Sequence, residues 1–229
     1  MVTRRFILGG TLVPQSWANR MYRPLAKAVG GADIIALPEL GLHDIEAVCR
    51  IVTSRLLSEL QPGETAELYC HSLGGIVGVM AADQLPAVTK VVSLGSSHHA
   101  LAAITPLVWL QAADGVASWL PEMFRPLVDL MAPVAWCQLK KGSAFMQGYA
   151  QILQRVIDSN RVISVASHGD QVVPLRSSLL ERAPNVVLMP ASRALPLVAG
   201  GYNIQVVESC RGRLQRVIAR ESDRFAGDC

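Results

Sequence analysis

A mostly parallel β-sheet flanked by helices on both faces is the fold class this sequence predicts, and three observations carry the prediction. Six short β-branched runs alternate with stretches of helical periodicity, the order that strands joined by crossover helices produce. At 229 residues and 51% hydrophobic, the chain is long enough for one such domain with a substantial core and too short to require two. One of the strand-like runs, ending at Cys70, passes through a single serine directly into a glycine-rich helix.

The runs are RRFIL (4–8), ADIIAL (32–37), AELYC (66–70), VTKVVSL (88–94), RVISVAS (161–167) and NVVLM (185–189). Between the second and third, Ile45, Val48, Cys49, Val52, Leu56 and Leu60 recur at helical spacing behind Asp44 as N-cap, and QPGE ends that helix. Residues 100–139 break the rhythm. They carry Trp109, Trp119 and Trp136, prolines at 106, 121, 126 and 133, and few charges, in an insertion too long for a plain loop. The segment reads as a helical cap inserted into a single domain, 1–229. Residues 204–221 form an amphipathic pattern in which Arg211, Arg213, Arg216 and Arg220 share a solvated face with Glu208 and Glu221.

Composition narrows the partners. The net charge is only +3, with basic residues scattered among acidic ones, so electrostatics give no case for nucleic acid and the expected partner is a small molecule. Cys49, Cys70, Cys137, Cys210 and Cys229 are odd in number, widely spaced and without a CxxC pair, which fits a reducing compartment and neither a disulfide framework nor structural zinc. The opening MVTRRFILGGTLVPQSWA imitates a secretory leader with twin arginines. No A-x-A site follows it, and cleavage would remove the first strand, so a mature cytoplasmic N-terminus is expected. No stretch reaches the roughly 18 to 20 apolar residues of a membrane span; 100–113 stops short.

The stretch 66–84 has the parts of a nucleophile elbow: a strand that ends, one residue in a tight turn that exposes its hydroxyl, and a helix that begins at once. AELYC supplies the strand, Ser72 the apex, Gly74 and Gly75 the clearance, and GIVGVMAADQL the helix, whose N-terminal amides favour negative charge at the serine. Here the chain resembles the α/β-hydrolase superfamily, and within it the bacterial lipases and esterases that carry G-H-S-x-G-G. Cys70 stands where the first glycine of that motif is usual.

Further stretches resemble the same family in the same order. FILGGTLVPQSW (6–17) looks like the strand and H-G-x turn of the oxyanion hole, with Gly9 in place of the histidine and Gly10 matching the glycine. The resemblance implies that Thr11 and Leu73 donate the two oxyanion-hole amides. LGSSHHA (94–100) resembles L-G-S-P-H-x-G, LKKGSAFMQGY resembles the P-G-S-x-F segment after the cap, and SVASHGDQVVP (164–174) resembles the stretch bearing the acid, which would be Asp170. The implied fold is the α/β-hydrolase fold. The implied activity is that of a lipase- or esterase-like serine hydrolase acting on an acyl or otherwise apolar substrate, with no metal or organic cofactor.

One part of the pattern is missing. The family's histidine should follow the last strand, yet this chain reads PASRALPLVAGGYN there, with Arg193 near the expected place and no histidine beyond His168. An arginine has no proton-accepting form at neutral pH. Losing the triad histidine costs a serine hydrolase about six orders of magnitude in turnover, roughly 8 kcal/mol of barrier. Among the remaining histidines, His43 starts the packing helix, His71 supports the elbow from behind, and His168 lies two residues before Asp170. His98 and His99 follow a strand that in this superfamily neighbours the elbow strand, so either is a substitute base. Cys70, Gly9 and Arg193 keep a second reading open: a hydrolase-like scaffold that binds a hydrophobic ligand or catalyses a non-hydrolytic step such as cyclisation. Acyl transfer or thioesterase action is a third.

Overall fold

The computed structural model describes residues 2–99, 134–168, 170 and 173–188. Within them six strands form one sheet: β1 (Thr3–Leu8), β2 (Asp33–Ile35), β3 (Thr65–His71), β4 (Val88–Leu94), β5 (Val162–Ser167) and β6 (Asn185–Leu188). Their order is β2-β1-β3-β4-β5-β6, with every neighbouring pair parallel. Each strand lies within or against one of the six β-branched runs. β2 is shorter than its run because its partner β1 leaves the sheet at Gly9; beyond it the Gln15 carboxamide takes the Ile34 carbonyl at 2.9 Å and the Ala36 amide at 3.0 Å.

The helices are α1 (Gln15–Met21), α2 (Arg23–Ala28), α3 (Ile45–Glu59), α4 (Leu73–Gln84), α5 (Val134–Gln138), α6 (Ala144–Asp158) and α7 (Leu175–Ser178). α3 is the packing helix read from the sequence: Asp44 caps it by accepting from the Ala47 amide, and Ile45, Val48, Cys49, Val52 and Leu56 face the core. The sheet divides the core in two. On one face Phe6, Leu8, Leu68, Cys70 and Val91 pack under α3, α4 and α6; on the other Ile7, Tyr69, Val92 and Val165 pack under α1 and α2. α4 is buried on all sides from Leu73 to Ala82, since the sheet lies beneath it and α3 and α6 lie against it. That explains its lack of a polar stripe.

Of the expected cap, 100–133 lies outside the described residues, as do Arg193 and the amphipathic segment 204–221. The described end of that stretch is α5, which Gln138 fastens to the start of α3 by accepting from the Ile45 amide and donating to Asp44. No helix among the described residues is long and apolar enough to cross a membrane.

The strand register sets up the site. Leu8 lies beside Ile35 and Cys70, His71 beside Leu94, and Leu94 beside Val165, so β1, β3, β4 and β5 all end along one edge. The loops that follow them open together at the carboxyl ends of the strands, the usual place for ligands in an open parallel sheet.

Cys70 occupies its tight position because α4 yields beneath it. A Cβ added at Gly78 would stand 2.5 Å from the Cys70 sulfur. Gly78→Ala should therefore destabilise the fold by about 1–3 kcal/mol in urea denaturation, the usual range for overpacking. In a Cys70→Ala background the same change should cost nothing, because the sulfur it meets is gone; equal penalties in both backgrounds would refute this packing account.

Candidate active site

Ser72 sits between the last residue of β3 and the first of α4 with φ 54° and ψ −124°, a backbone conformation that a serine adopts only under constraint and at a cost of about 1–3 kcal/mol. The constraint is visible on both sides of the turn. Behind it, a Cβ on Gly74 would lie 2.5 Å from the Gly9 carbonyl oxygen and 2.7 Å from that of Leu8, so any larger residue would push α4 off the end of β1. A Cβ on Gly75 would overlap the Ser93 and Ser96 hydroxyls of β4 and its loop. The Ser72 amide itself donates to Leu94 O at 3.0 Å.

The loop after β1 is pressed against this apex: a Cβ on Gly10 would be 3.1 Å from Ser72 Cβ. Its amides are committed one by one. Gly9 donates to Ile35 O (2.9 Å), Gly10 to the Tyr22 hydroxyl (3.1 Å) and Leu12 to Leu40 O (2.8 Å). Thr11 is thus the one amide from Gly9 to Leu12 without an acceptor among the described residues. Leu73, as the first residue of α4, has no intrahelical acceptor for its own amide, and it lies at the positive end of the helix dipole.

Strain gathers around the same mouth. Leu12 (φ 62°), Glu39 (φ 48°) and Leu40 (φ 59°) join Ser72 in the left-handed region, and the Leu12 amide ties two of these segments together. Leu12 and Leu40 are partly exposed there. Sequence reasoning had no signal for the Pro38–Gly41 turn, because its left-handed residues are a glutamate and a leucine as well as a glycine.

All five histidines of the chain are among the described residues, and none hydrogen-bonds the Ser72 hydroxyl. His43 pairs with Glu39 on the surface. The Nδ1 of buried His71 faces the Tyr22 hydroxyl at 2.8 Å. His98 is placed differently from a base: its Nε2 is 2.7 Å from Ser93 Oγ and its Nδ1 2.6 Å from the Tyr149 hydroxyl, so both nitrogens are engaged. By distance Ser93 and His98 make a serine–histidine pair, but both are sealed from solvent, at 0% and 2% exposed, where no substrate reaches. His98 thus joins β4 to α6, and its backbone amide adds a bond to Ser177 O. His99 is exposed; its Nε2 lies 2.8 Å from Leu179 O, which can only accept, so Nε2 carries the proton and Nδ1 the lone pair of the neutral ring. His168 is exposed at the end of β5. Asp170 is on the loop after β5, as the sequence implied, and its Oδ1 accepts from the Val173 amide at 2.9 Å.

With this geometry the solved structures can be compared. The chain superposes on the mature lipase of Bacillus licheniformis with a TM-score of 0.55 at 16% identity, covering 93% of this chain and 91% of that one. A pyrethroid hydrolase matches at 0.54 and 19% identity over 99% of both chains. The chain has the α/β-hydrolase fold. Lipase B of Aspergillus fumigatus also matches at 0.55 and 15% identity; 82% of this chain is covered, and this chain spans 44% of that longer one. No family model matches the chain, and no curated protein does. In this α/β-hydrolase fold the parallel order places the elbow on the third strand, beside the strand that carries the Gly9–Leu12 loop.

Burial holds both inner imidazoles neutral. It pushes His71 down to about 4; it pushes His98 down to about 3, helped by neighbouring His99. Because the unfolded rings titrate near 6.5, the unfolded chain takes up protons first as the pH drops. These two residues should leave stability flat above about pH 6.5 and lower it from there towards pH 4, by at most about 1.4 kcal/mol per pH unit for each ring. NMR titration of the ring Cε1 protons checks this: the His71 and His98 signals should stay nearly fixed between pH 8 and 6, and an inflexion near 6.5 in either would refute their burial as neutral groups.

Proposed function

We propose that this chain is a lipase- or esterase-like serine hydrolase acting on an acyl ester or a similarly apolar carbonyl compound. The observation that carries this reading is the strained Ser72 apex held against the Gly9–Leu12 loop. In it Ser72 Oγ attacks the carbonyl carbon, its proton passes to an imidazole, and the Thr11 and Leu73 amides stabilise the oxyanion. Collapse of the adduct expels the alcohol, which takes that proton, and water repeats the sequence on the acyl-enzyme. The neighbouring folds described as lipases agree with an acyl ester as substrate. Asp170 is the carboxylate that stabilises the imidazolium. His99 is the base in this reading, since its bond to Leu179 O leaves a proton-accepting Nδ1 whereas both nitrogens of His98 are taken; exposed His168, after β5, is the alternative ring.

A second reading draws support from one observation, that no imidazole rests on the Ser72 hydroxyl. In it the fold is kept for binding an apolar ligand or for a non-hydrolytic step in the same cleft. A fluorophosphonate probe separates the two. The hydrolase reading expects labelling that Ser72→Ala abolishes, that His99→Ala slows by about 10⁴-fold or more, and that Asp170→Asn slows by less, since Leu179 O and not the carboxylate holds the second ring nitrogen. No labelling of well-folded protein favours the second reading, and labelling untouched by His99→Ala removes His99 as base.

A further inference from the structure

The hydroxyl of Tyr22 bridges the two backbones on which the proposed chemistry depends. Tyr22 joins α1 to α2, is 1% exposed, and lies in the smaller core beside Ile7, Ala18 and Leu25. Its oxygen accepts from the Gly10 amide at 3.1 Å and stands 2.8 Å from His71 Nδ1. Gly10 directly precedes Thr11, and His71 directly precedes Ser72. One hydroxyl therefore spans from the loop carrying an oxyanion donor to the turn carrying the nucleophile.

Donor chemistry sets how the hydroxyl is used. The Gly10 N–H can only donate, so the phenol oxygen accepts there; towards His71 Nδ1 it either donates its proton or accepts a second hydrogen bond, and it bridges the two groups in both cases. Burial raises Tyr22 to about 12 and lowers His71 to about 4, so the proton stays on the phenol and the pair is neutral.

We infer that Tyr22 is a positioning residue, whose hydroxyl fixes the Thr11 amide relative to Ser72 by holding Gly10 and His71 at once. The inference rests on the proposed roles of Ser72 and Thr11. The loop otherwise meets the elbow by van der Waals contact at Gly10, which resists compression but not sliding. An oxyanion donor works over a few tenths of an ångström, and a misplacement of about 1 Å costs about 10²-fold in rate.

Tyr22→Phe removes the hydroxyl and keeps the ring in its core. With a p-nitrophenyl acyl ester, kcat should fall about 10- to 100-fold while KM stays within about twofold, the signature of an interaction made in the transition state. The ¹⁵N shifts of the His71 ring should report a single tautomer in the native protein and a mixture in the variant, a change that general loosening of the fold does not produce. An unchanged kcat in a Tyr22→Phe protein whose Ser72 reacts overturns the inference alone. An unreactive Ser72 in the native protein brings down the proposed function and this inference with it. Should the variant not fold, hydrogen exchange in the native protein decides: the inference expects the Gly10 amide to be protected as strongly as that of Gly9, and a Gly10 amide that exchanges like a free loop amide overturns it.

Discussion

The close approach of α4 to the sheet is the constraint from which the rest of the site follows. Gly74 and Gly75 let the first turn of that helix lie against the Leu8 and Gly9 carbonyls on one side and the Ser93 and Ser96 hydroxyls on the other. With the helix start fixed that close, the chain has a single residue in which to turn from β3, and that residue takes φ 54°. A side chain at either glycine would need the helix to withdraw, and the turn would then relax. The strain at Ser72 is thus a product of packing around it and not of its own preference.

The same packing explains why polar groups are buried beneath the site. Hydroxyls and imidazoles fill the narrow space under the elbow, and most are matched within it: Ser93 and Tyr149 by His98, Tyr22 by Gly10 and His71. A buried imidazole with both nitrogens engaged pins two elements together, in this case β4 and α6. It does so at the expense of its basicity, since the partners that hold it occupy the lone pair a general base would use. Structural and catalytic histidine are exclusive uses of the same atoms.

Much of the fold could be read from the residues. All six strands announced themselves as β-branched runs, Asp44 and the 3.6-residue spacing located α3, and the small residues after Ser72 located the elbow. These are local signals, carried by neighbours in sequence. Of the candidate site, what could be read was placement: Thr11, Ser72 and Asp170 follow recognisable strands, and Leu73 opens the helix after β3. Tyr22 gave no sign, because its role lies in contacts with residues 12 and 49 positions away. The choice between His98 and His99 was hidden for a related reason. Adjacent residues on a turn point apart, and only the positions of Ser93, Tyr149 and Leu179 show which ring is enclosed.

Two of the departures from the lipase pattern, Cys70 and the missing histidine, differ in physical kind. Cys70 in place of glycine adds volume, and volume can be returned by a neighbour: Gly78 supplies the space one layer away, so the elbow keeps its shape. The absent histidine removes a proton acceptor, which packing cannot return. Nucleophile geometry and nucleophile activation are therefore separable properties of this fold. The first is set by backbone approach at Gly74 and Gly75, and the second by whether one ring with a free lone pair comes within about 3 Å of a hydroxyl. Of the inner rings, His98 is engaged at both nitrogens and His71 at Nδ1. Under the proposed hydrolase reading the proton acceptor is then an outer ring: His99, whose bond to Leu179 O leaves Nδ1 with its lone pair, or exposed His168.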